Sequence, residues 1–243
     1  MSLSCATDRS SKPELIFYTA ASNKIEDRRQ TNMMGRGDVY MTRHATRADR
    51  QQKWRPLPGH SDEDCELSPD GEASAAELKN KFDSITLAHV VSSPFLRCIQ
   101  TVLPIAIAKG LQIKIEPGIG EVDSTGFWDA NRSALEHNFP IDLQYQPILP
   151  RHKLQPEWGD GEAAARSKKT VSAIRQNLEG PILFCGHGAS RLGIAQACNG
   201  CGYVGYSSFS HFIFDGNVWQ VEAMGDVSHL SSRHAKESLA SAW

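Results

Sequence analysis

Residues Arg43-His44-Ala45-Thr46-Arg47-Ala48-Asp49 follow directly on a short apolar run, Val39-Tyr40-Met41. An imidazole therefore stands where a strand ends, with one guanidinium before it and another three residues after it. Guanidinium groups stay charged at any accessible pH, so this density of cation is unfavourable unless an anion sits there. The cluster reads as a phosphate or carboxylate site with a candidate nucleophile or acid/base group at its centre. A solvated, charged loop behind an edge strand is the competing reading, and this segment alone does not choose between them.

The elements around it bear on the choice. After Val39-Tyr40-Met41 comes a polar loop from Arg50 to Glu66. Ser68-Pro69 then has the composition of a helix start, with Ser as N-cap, Pro at the first helical position and acidic residues behind it. Ala75, Leu78 and Phe82 fall on one face of that helix. Val90-Val91 reads as a buried strand, and Ser93-Pro94 as a second capped helix start. Phe95, Ile99, Val102, Leu103 and Ala106 form an apolar stripe that Lys109-Gly110 ends. Ile113 and Ile115 alternate as a strand. Asp160 is a candidate cap for a helix carrying Val171, Ile174 and Leu178, stopped by Gly180-Pro181. Ile182-Leu183-Phe184-Cys185 reads as a strand buried on both faces. Gly186-His187-Gly188 turns into a helix over about 190–198, and 209–214 with 218–223 form a hairpin around Asp215-Gly216-Asn217.

Strands separated by helices predict an α/β three-layer sandwich, with a mainly parallel central sheet, helices on both faces and a hairpin at one edge. Residues 1–36 read as an irregular or mobile lead-in containing Leu15-Ile16-Phe17-Tyr18. Residues 37–230 form the expected domain, and 231–243 a polar, frayed tail. Residues 127–158, with Pro140, Pro147, Pro150 and Pro156, are too long for an ordinary connection and read as an irregular lid insertion.

In open α/β sheets ligands bind beyond the carboxyl ends of the strands. Arg43 and His44 follow the first strand, Arg97 lies one helical turn past the second, Glu121 follows the third and His187 the fourth. Each is weak alone. Their recurrence at successive strand ends favours a site over solvated loops.

Bulk properties narrow the function. The chain has 243 residues, 40% hydrophobic content and a formal net charge of −2. No basic field implies nucleic acid or an acidic membrane surface as partner. No apolar run reaches membrane-spanning length, and the composition of the first and last residues predicts neither a secretory leader nor prenylation. Of the six cysteines, five are dispersed as reduced thiols would be, which predicts a cytoplasmic protein. Cys198-Asn-Gly-Cys201 is a lone pair following a helix, without a second ligand pair, so it reads as a loop rather than a zinc or redox site.

Five strings carry a resemblance. They are Tyr40-Met41-Thr42-Arg43-His44-Ala45-Thr46-Arg47, Leu67-Ser68-Pro69-Asp70-Gly71, Ser92-Ser93-Pro94-Phe95-Leu96-Arg97-Cys98-Ile99-Gln100-Thr101, Glu116-Pro117-Gly118-Ile119-Gly120-Glu121 and Phe184-Cys185-Gly186-His187-Gly188. With Asp226-Val227-Ser228-His229-Leu230 they make the chain, over about 37–230, resemble the histidine phosphatase superfamily, the phosphoglycerate-mutase-like group. Arg-His-x-x-Arg-x-Asp and Glu-Pro-Gly-Ile-x-Glu look most like the phosphatase domain of the suppressor of T-cell receptor signalling proteins and insect ecdysteroid-phosphate phosphatases. From the length of the sequence, a phosphatase domain without the SH3 or ubiquitin-binding modules of that subgroup is expected.

The resemblance implies metal-independent phosphomonoester hydrolysis without a cofactor. His44 would take the phosphoryl group as phosphohistidine. Arg43, Arg47, Arg97 and His187 would bind its oxygens, and Glu121 would act as general acid and then base. Glu116 competes with Glu121 for that role. Asp49 would orient Arg47, and Thr46 and Ser92 are candidate donors at the phosphate rim. The implied partner is a small phosphorylated substrate or a phosphoprotein. Relatives often dimerise, so a homodimer is the assembly to test for.

Three departures from the family pattern stand out. Ala45 replaces the usual Gly, and its methyl could crowd the phosphate. Thr46 stands where many members have Glu, which argues against mutase chemistry. Gly120 and Val122 replace aromatic residues expected around the acid. A phosphoglycerate mutase and a catalytically weak phospho-ligand-binding module are the alternatives. Phe127, Trp128, Phe139, Tyr145 and Trp158 could either stack on a substrate or serve as local core of the insertion.

Overall fold

The computed structural model describes residues 37–50, 54–55, 63–122 and 139–241. The lead-in over 1–36, and the first part of the insertion with Phe127 and Trp128, lie outside the described residues.

Six strands form one sheet. They are β1 (Val39–Arg43), β2 (His89–Ser92), β3 (Ile113–Ile115), β4 (Ile182–Gly186), β5 (Phe209–Phe214) and β6 (Trp219–Asp226), in the order β3-β2-β4-β1-β5-β6. β1 to β4 are mutually parallel, while β5 runs antiparallel to both β1 and β6. The hairpin thus closes one edge, as expected. Met41, Val91, Ile182 and Phe184 are all fully buried, which accounts for strands that read as continuous apolar runs.

Helices cover both faces. On one side lie α1 (Pro69–Lys81) and α2 (Leu96–Lys109); Leu78, Ile99, Val102 and Ile105 pack there against Tyr40, Val90, Leu183 and Phe209. On the other lie α3 (Asp160–Asn177) and α4 (Gly188–Gln196), whose Val171, Ile174 and Ile194 meet Met41, Phe184 and Phe212. The three-layer expectation stands.

Helix starts differ in detail. Ser68 caps α1, its side chain accepting from the amide of Gly71 at 3.0 Å, with Pro69 as first residue. Asp160 is not a cap but the first residue of α3, behind Gly159. Ser93 does not cap α2. Its hydroxyl is drawn into the site instead, and the carboxylate of Asp64 accepts from the amide of Leu96 at 2.7 Å. The tail is not frayed: Ser232–Ala240 forms α5, with His234 and Ser238 buried. Its polar composition hid this, because it docks by hydrogen bonds, including His234 Nδ1 with Glu77 Oε2 at 2.9 Å, rather than by a broad apolar face. Cys198 is buried in the core as a free thiol, and Cys201 is exposed. Among the described residues, no helix is long and apolar enough to cross a membrane.

Candidate active site

The four parallel strands end within one residue of one another: Arg43 pairs with Gly186, and Ser92 with both Cys185 and Ile115. The residues that follow them, Glu116, Ser93, His187 and His44 in sheet order, therefore gather along one edge of the sheet, the last two one residue farther out. Backbone bonds carry the row one step beyond the strands: His44 N donates to Gly186 O (3.0 Å), Ser93 N to Cys185 O (3.0 Å) and Glu116 N to Ser92 O (2.8 Å).

His44 is 1% exposed. Its Nδ1 lies 2.8 Å from its neighbour's carbonyl, Ala45 O. A carbonyl only accepts, so Nδ1 carries the proton and Nε2 holds the lone pair. Burial, then the charges of Arg97 and Arg43, hold this imidazole well below the usual histidine range. A neutral ring with a fixed tautomer and a free Nε2 has the form of a nucleophile.

The three predicted arginines surround it, each held differently. Arg43 lies over the ring of Tyr206, 4.4 Å from its centroid, and donates to Ser241 O at 2.8 Å. Burial lowers its pKa. Arg47 forms a bidentate pair with Asp49 through Nε (3.0 Å) and Nη2, the orienting role expected of Asp49. Arg97, 1% exposed, stacks on Phe95 and donates to Glu63 O at 2.9 Å. The Nε groups of Arg43 and Arg97 are buried without a hydrogen-bond partner among the described residues. Buried guanidinium donors in this condition suit an oxyanion.

His187 is fully buried beside His44, with ring centroids 5.2 Å apart. Its Nδ1 accepts from Arg97 Nη2 at 3.2 Å, and its Nε2 lies 2.7 Å from Ser93 Oγ. Burial and then Arg97 depress its pKa strongly.

The two glutamates occupy different places. Glu116 is fully buried and spent on structure, accepting from the amides of Gly118 (2.9 Å), Ile148 (2.8 Å) and Leu149 (3.2 Å) and from Tyr145 Oη (2.8 Å). Glu121 reaches the pocket: its Oε2 is 3.5 Å from His187 Nδ1, and ligand-type atoms of His44, Glu121 and His187 lie within 4.8 Å of one another.

The string from Ser92 to Thr101 takes its meaning here. Ser93 meets His187, and Arg97 enters the pocket. Gln100 Oε1 accepts from Leu67 N at 2.8 Å, and Thr101 Oγ1 accepts from Ala45 N at 2.9 Å. Residues 97, 100 and 101 share one helical face, so a single turn of α2 ties the loop after His44 to Arg97. The first turn of α1 closes the same loop. Ser68 N donates to Thr46 O at 2.9 Å, and a Cβ on Gly71 would sit 2.2 Å from that oxygen. Sequence reasoning missed Tyr206, Asp64 and Ser241, whose roles depend on contacts across the fold.

Other expectations are refined. The methyl of Ala45 is fully buried and packs with Leu67 and Ala75. Ser92 Oγ is no rim donor, since it donates to Ser93 O at 2.9 Å. Of the insertion's aromatics, Phe139 packs on the core, Tyr145 binds Glu116, and Trp158 is 83% exposed.

Comparison with known proteins gives the same fold. The chain is 38% identical over 85 residues to mouse ubiquitin-associated and SH3 domain-containing protein A, aligning 30% of this chain with 13% of that protein. It is 32% identical over 124 residues to the human protein of that name, aligning 44% of this chain with 18% of it. The match thus spans less than a fifth of either relative. The crystal structure of the ecdysone phosphate phosphatase of Bombix mori with tungstate superposes with a TM-score of 0.65 at 19% identity, covering 81% of this chain and 96% of that one. These relatives represent the subgroup that the sequence motifs resemble. Residues 39–227, from the first residue of β1 to just past β6, match the model of the histidine phosphatase superfamily, branch 1, and it is to that superfamily of phosphoryl hydrolysis and transfer that the chain belongs.

Proposed function

We propose that the protein is a metal-independent phosphomonoesterase working through a phosphohistidine on His44. The observation that carries this is the bond from His44 Nδ1 to Ala45 O, which leaves Nε2 unprotonated among the charges of Arg97, Arg43 and Arg47. Nε2 attacks phosphorus as the ester P–O bond breaks, and Glu121 gives its proton to the leaving oxygen. Water then attacks the phosphohistidine, Glu121 takes a proton from it, and inorganic phosphate leaves with Nε2 free again. The guanidiniums of Arg43, Arg97 and Arg47 meet the charge carried by the non-bridging oxygens throughout.

His187 suits a supporting role. The hydroxyl of Ser93 can accept from or donate to Nε2. When Arg97 Nη2 turns to a phosphoryl oxygen, proton exchange with water can take the ring proton from Nε2 and return one to Nδ1, so that Ser93 donates to Nε2 and Nδ1–H donates to the phosphoryl group. The same geometry fits a cation poorly. Both nitrogens of His187 are engaged, and the surrounding guanidiniums repel positive charge.

The substrate class is a small phosphorylated molecule or a phosphoprotein, and the buried free thiols of Cys65, Cys98, Cys185 and Cys198 suit a reducing, cytoplasmic setting. The test is hydrolysis of p-nitrophenyl phosphate in excess EDTA by the wild type and His44→Ala. Wild-type turnover with EDTA, an inactive variant and an acid-labile, alkali-stable phosphoenzyme are expected. Activity surviving in His44→Ala, or abolished by EDTA, overturns the proposal. A panel of phosphotyrosine, sugar phosphates and nucleotides then identifies the substrate class.

A further inference from the structure

Taking Glu121 as the acid proposed above, we infer that Arg166 is a positioning residue, held by Glu157, that sets where the Glu121 carboxylate stands. Arg166 lies in α3, its side chain only 9% exposed, and nothing about its place in the sequence marks it. Its fork meets Glu157 in a bidentate pair, Nε to Oε1 at 2.6 Å and Nη2 to Oε2 at 2.7 Å. The rest of the guanidinium addresses the backbone of the acid-bearing loop. Nη1 donates to Pro117 O (3.3 Å) and Gly118 O (2.9 Å), and Nη2 donates to Gly120 O (3.3 Å) and Glu121 O (3.0 Å).

This loop needs such a clamp. Past the 3-10 turn Pro117–Ile119, residues 120–122 belong to no helix or strand. The Glu121 side chain is 29% exposed, and its bond to Val122 N at 3.2 Å is local to the loop. Its position therefore follows its backbone, and two of the carbonyls that Arg166 grips are those of Gly120 and Glu121. The loop lies flat on α3 because Gly118 has no side chain; a Cβ there would be 2.3 Å from Thr170 Oγ1. Lysine could not replace the arginine, since its three donors radiate from one atom on a flexible stem, whereas guanidinium is a rigid plane matched to a carboxylate on one edge. Glu157 fixes that plane, and it comes from the inserted segment whose Ile148 and Leu149 amides bind Glu116. The described part of the expected lid is thus joined to the acid loop through two carboxylates.

The test separates positioning from stability by leaving group. Departure of an alkoxide requires a proton from the acid, whereas p-nitrophenolate leaves largely unaided. Arg166→Lys and Glu157→Gln are expected to lower kcat/KM, which reports the steps up to phosphoenzyme formation, by about 10- to 100-fold on an alkyl phosphate, the scale of a misplaced catalytic group. On p-nitrophenyl phosphate the loss in kcat/KM should be about threefold or less, because little acid assistance is needed in that step. Vanadate affinity should hold, and Arg166→Lys should add nothing in a Glu121→Gln background. Equal losses on both substrates, or an Arg166→Lys effect undiminished in that background, overturn the inference. If Arg166→Lys does not fold, Glu157→Gln, which keeps the carbonyl bonds, carries the test. A Glu121→Gln variant with no leaving-group bias removes both the acid assignment and this inference. A biased Glu121→Gln beside unbiased Arg166→Lys and Glu157→Gln removes the inference alone.

Discussion

The amide of Ala45 donates to Thr101 Oγ1 at 2.9 Å, and the same hydroxyl donates to Arg97 O at 2.7 Å. One side chain thus fixes the loop after His44 to the helix that carries Arg97. Thr101→Val keeps the shape and removes the acceptor, stranding a buried amide. A loss of about 1–3 kcal/mol in urea unfolding is expected. kcat should fall with it, and Thr101→Ser should restore both.

Ser93→Ala removes the partner of His187 Nε2 and the rotor that lets the ring change tautomer. kcat should fall by about tenfold, the worth of one catalytic hydrogen bond of roughly 1.4 kcal/mol. Unchanged turnover in steady-state assays would show that His187 needs no such relay.

Ala45→Gly tests whether the family departure costs activity. The methyl packs with Leu67 and Ala75, so its loss should destabilise the fold by about 1 kcal/mol through lost burial and added backbone freedom. Turnover should not rise. A faster Ala45→Gly enzyme would mean that the methyl does press on the phosphate.

Stability should fall with pH below about 6.5, the unfolded imidazole value. His44 and His187 are held below that value by burial first and Arg97 next. As pH drops, the unfolded chain takes up these protons before the folded one does, so unfolding gains. The contribution is fully present above about 6.5 and is lost as pH falls toward the folded values. His187→Gln should show a shallower decline in urea midpoint between neutral and mildly acidic pH than the wild type does. Identical slopes would place the acid sensitivity elsewhere.

The pocket was legible where chemistry and strand ends coincide. His44, Arg43, Arg47, Arg97, Glu121 and His187 follow strands whose apolar runs are unmistakable, and the structure brings all six together. The family pattern favours Glu121 over Glu116 in sequence, and the three-dimensional course of the insertion adds that Glu116 is engaged by the amides of Ile148 and Leu149. Ser93 reads in sequence as a helix cap, but tertiary context draws its hydroxyl to His187 instead. Tyr206 and Ser241 left no local signal, since each reaches Arg43 from the other end of the chain. The α5 helix was missed because its stabilising contacts are polar and distant, such as His234 with Glu77.

The strand order has a consequence for how the molecule is made. β4 lies between β1 and β2, so the two strands synthesised first never touch. The strand that joins them, and the second histidine with it, emerges only after α2, β3 and α3 have been translated. A nascent chain that stops short of Ile182 holds two apolar edges awaiting a common neighbour, and such edges are what chaperones bind and what aggregates form from. Competence for chemistry and completion of the hydrophobic sheet arrive in the same folding event, so partly synthesised chains should be inert as well as sticky.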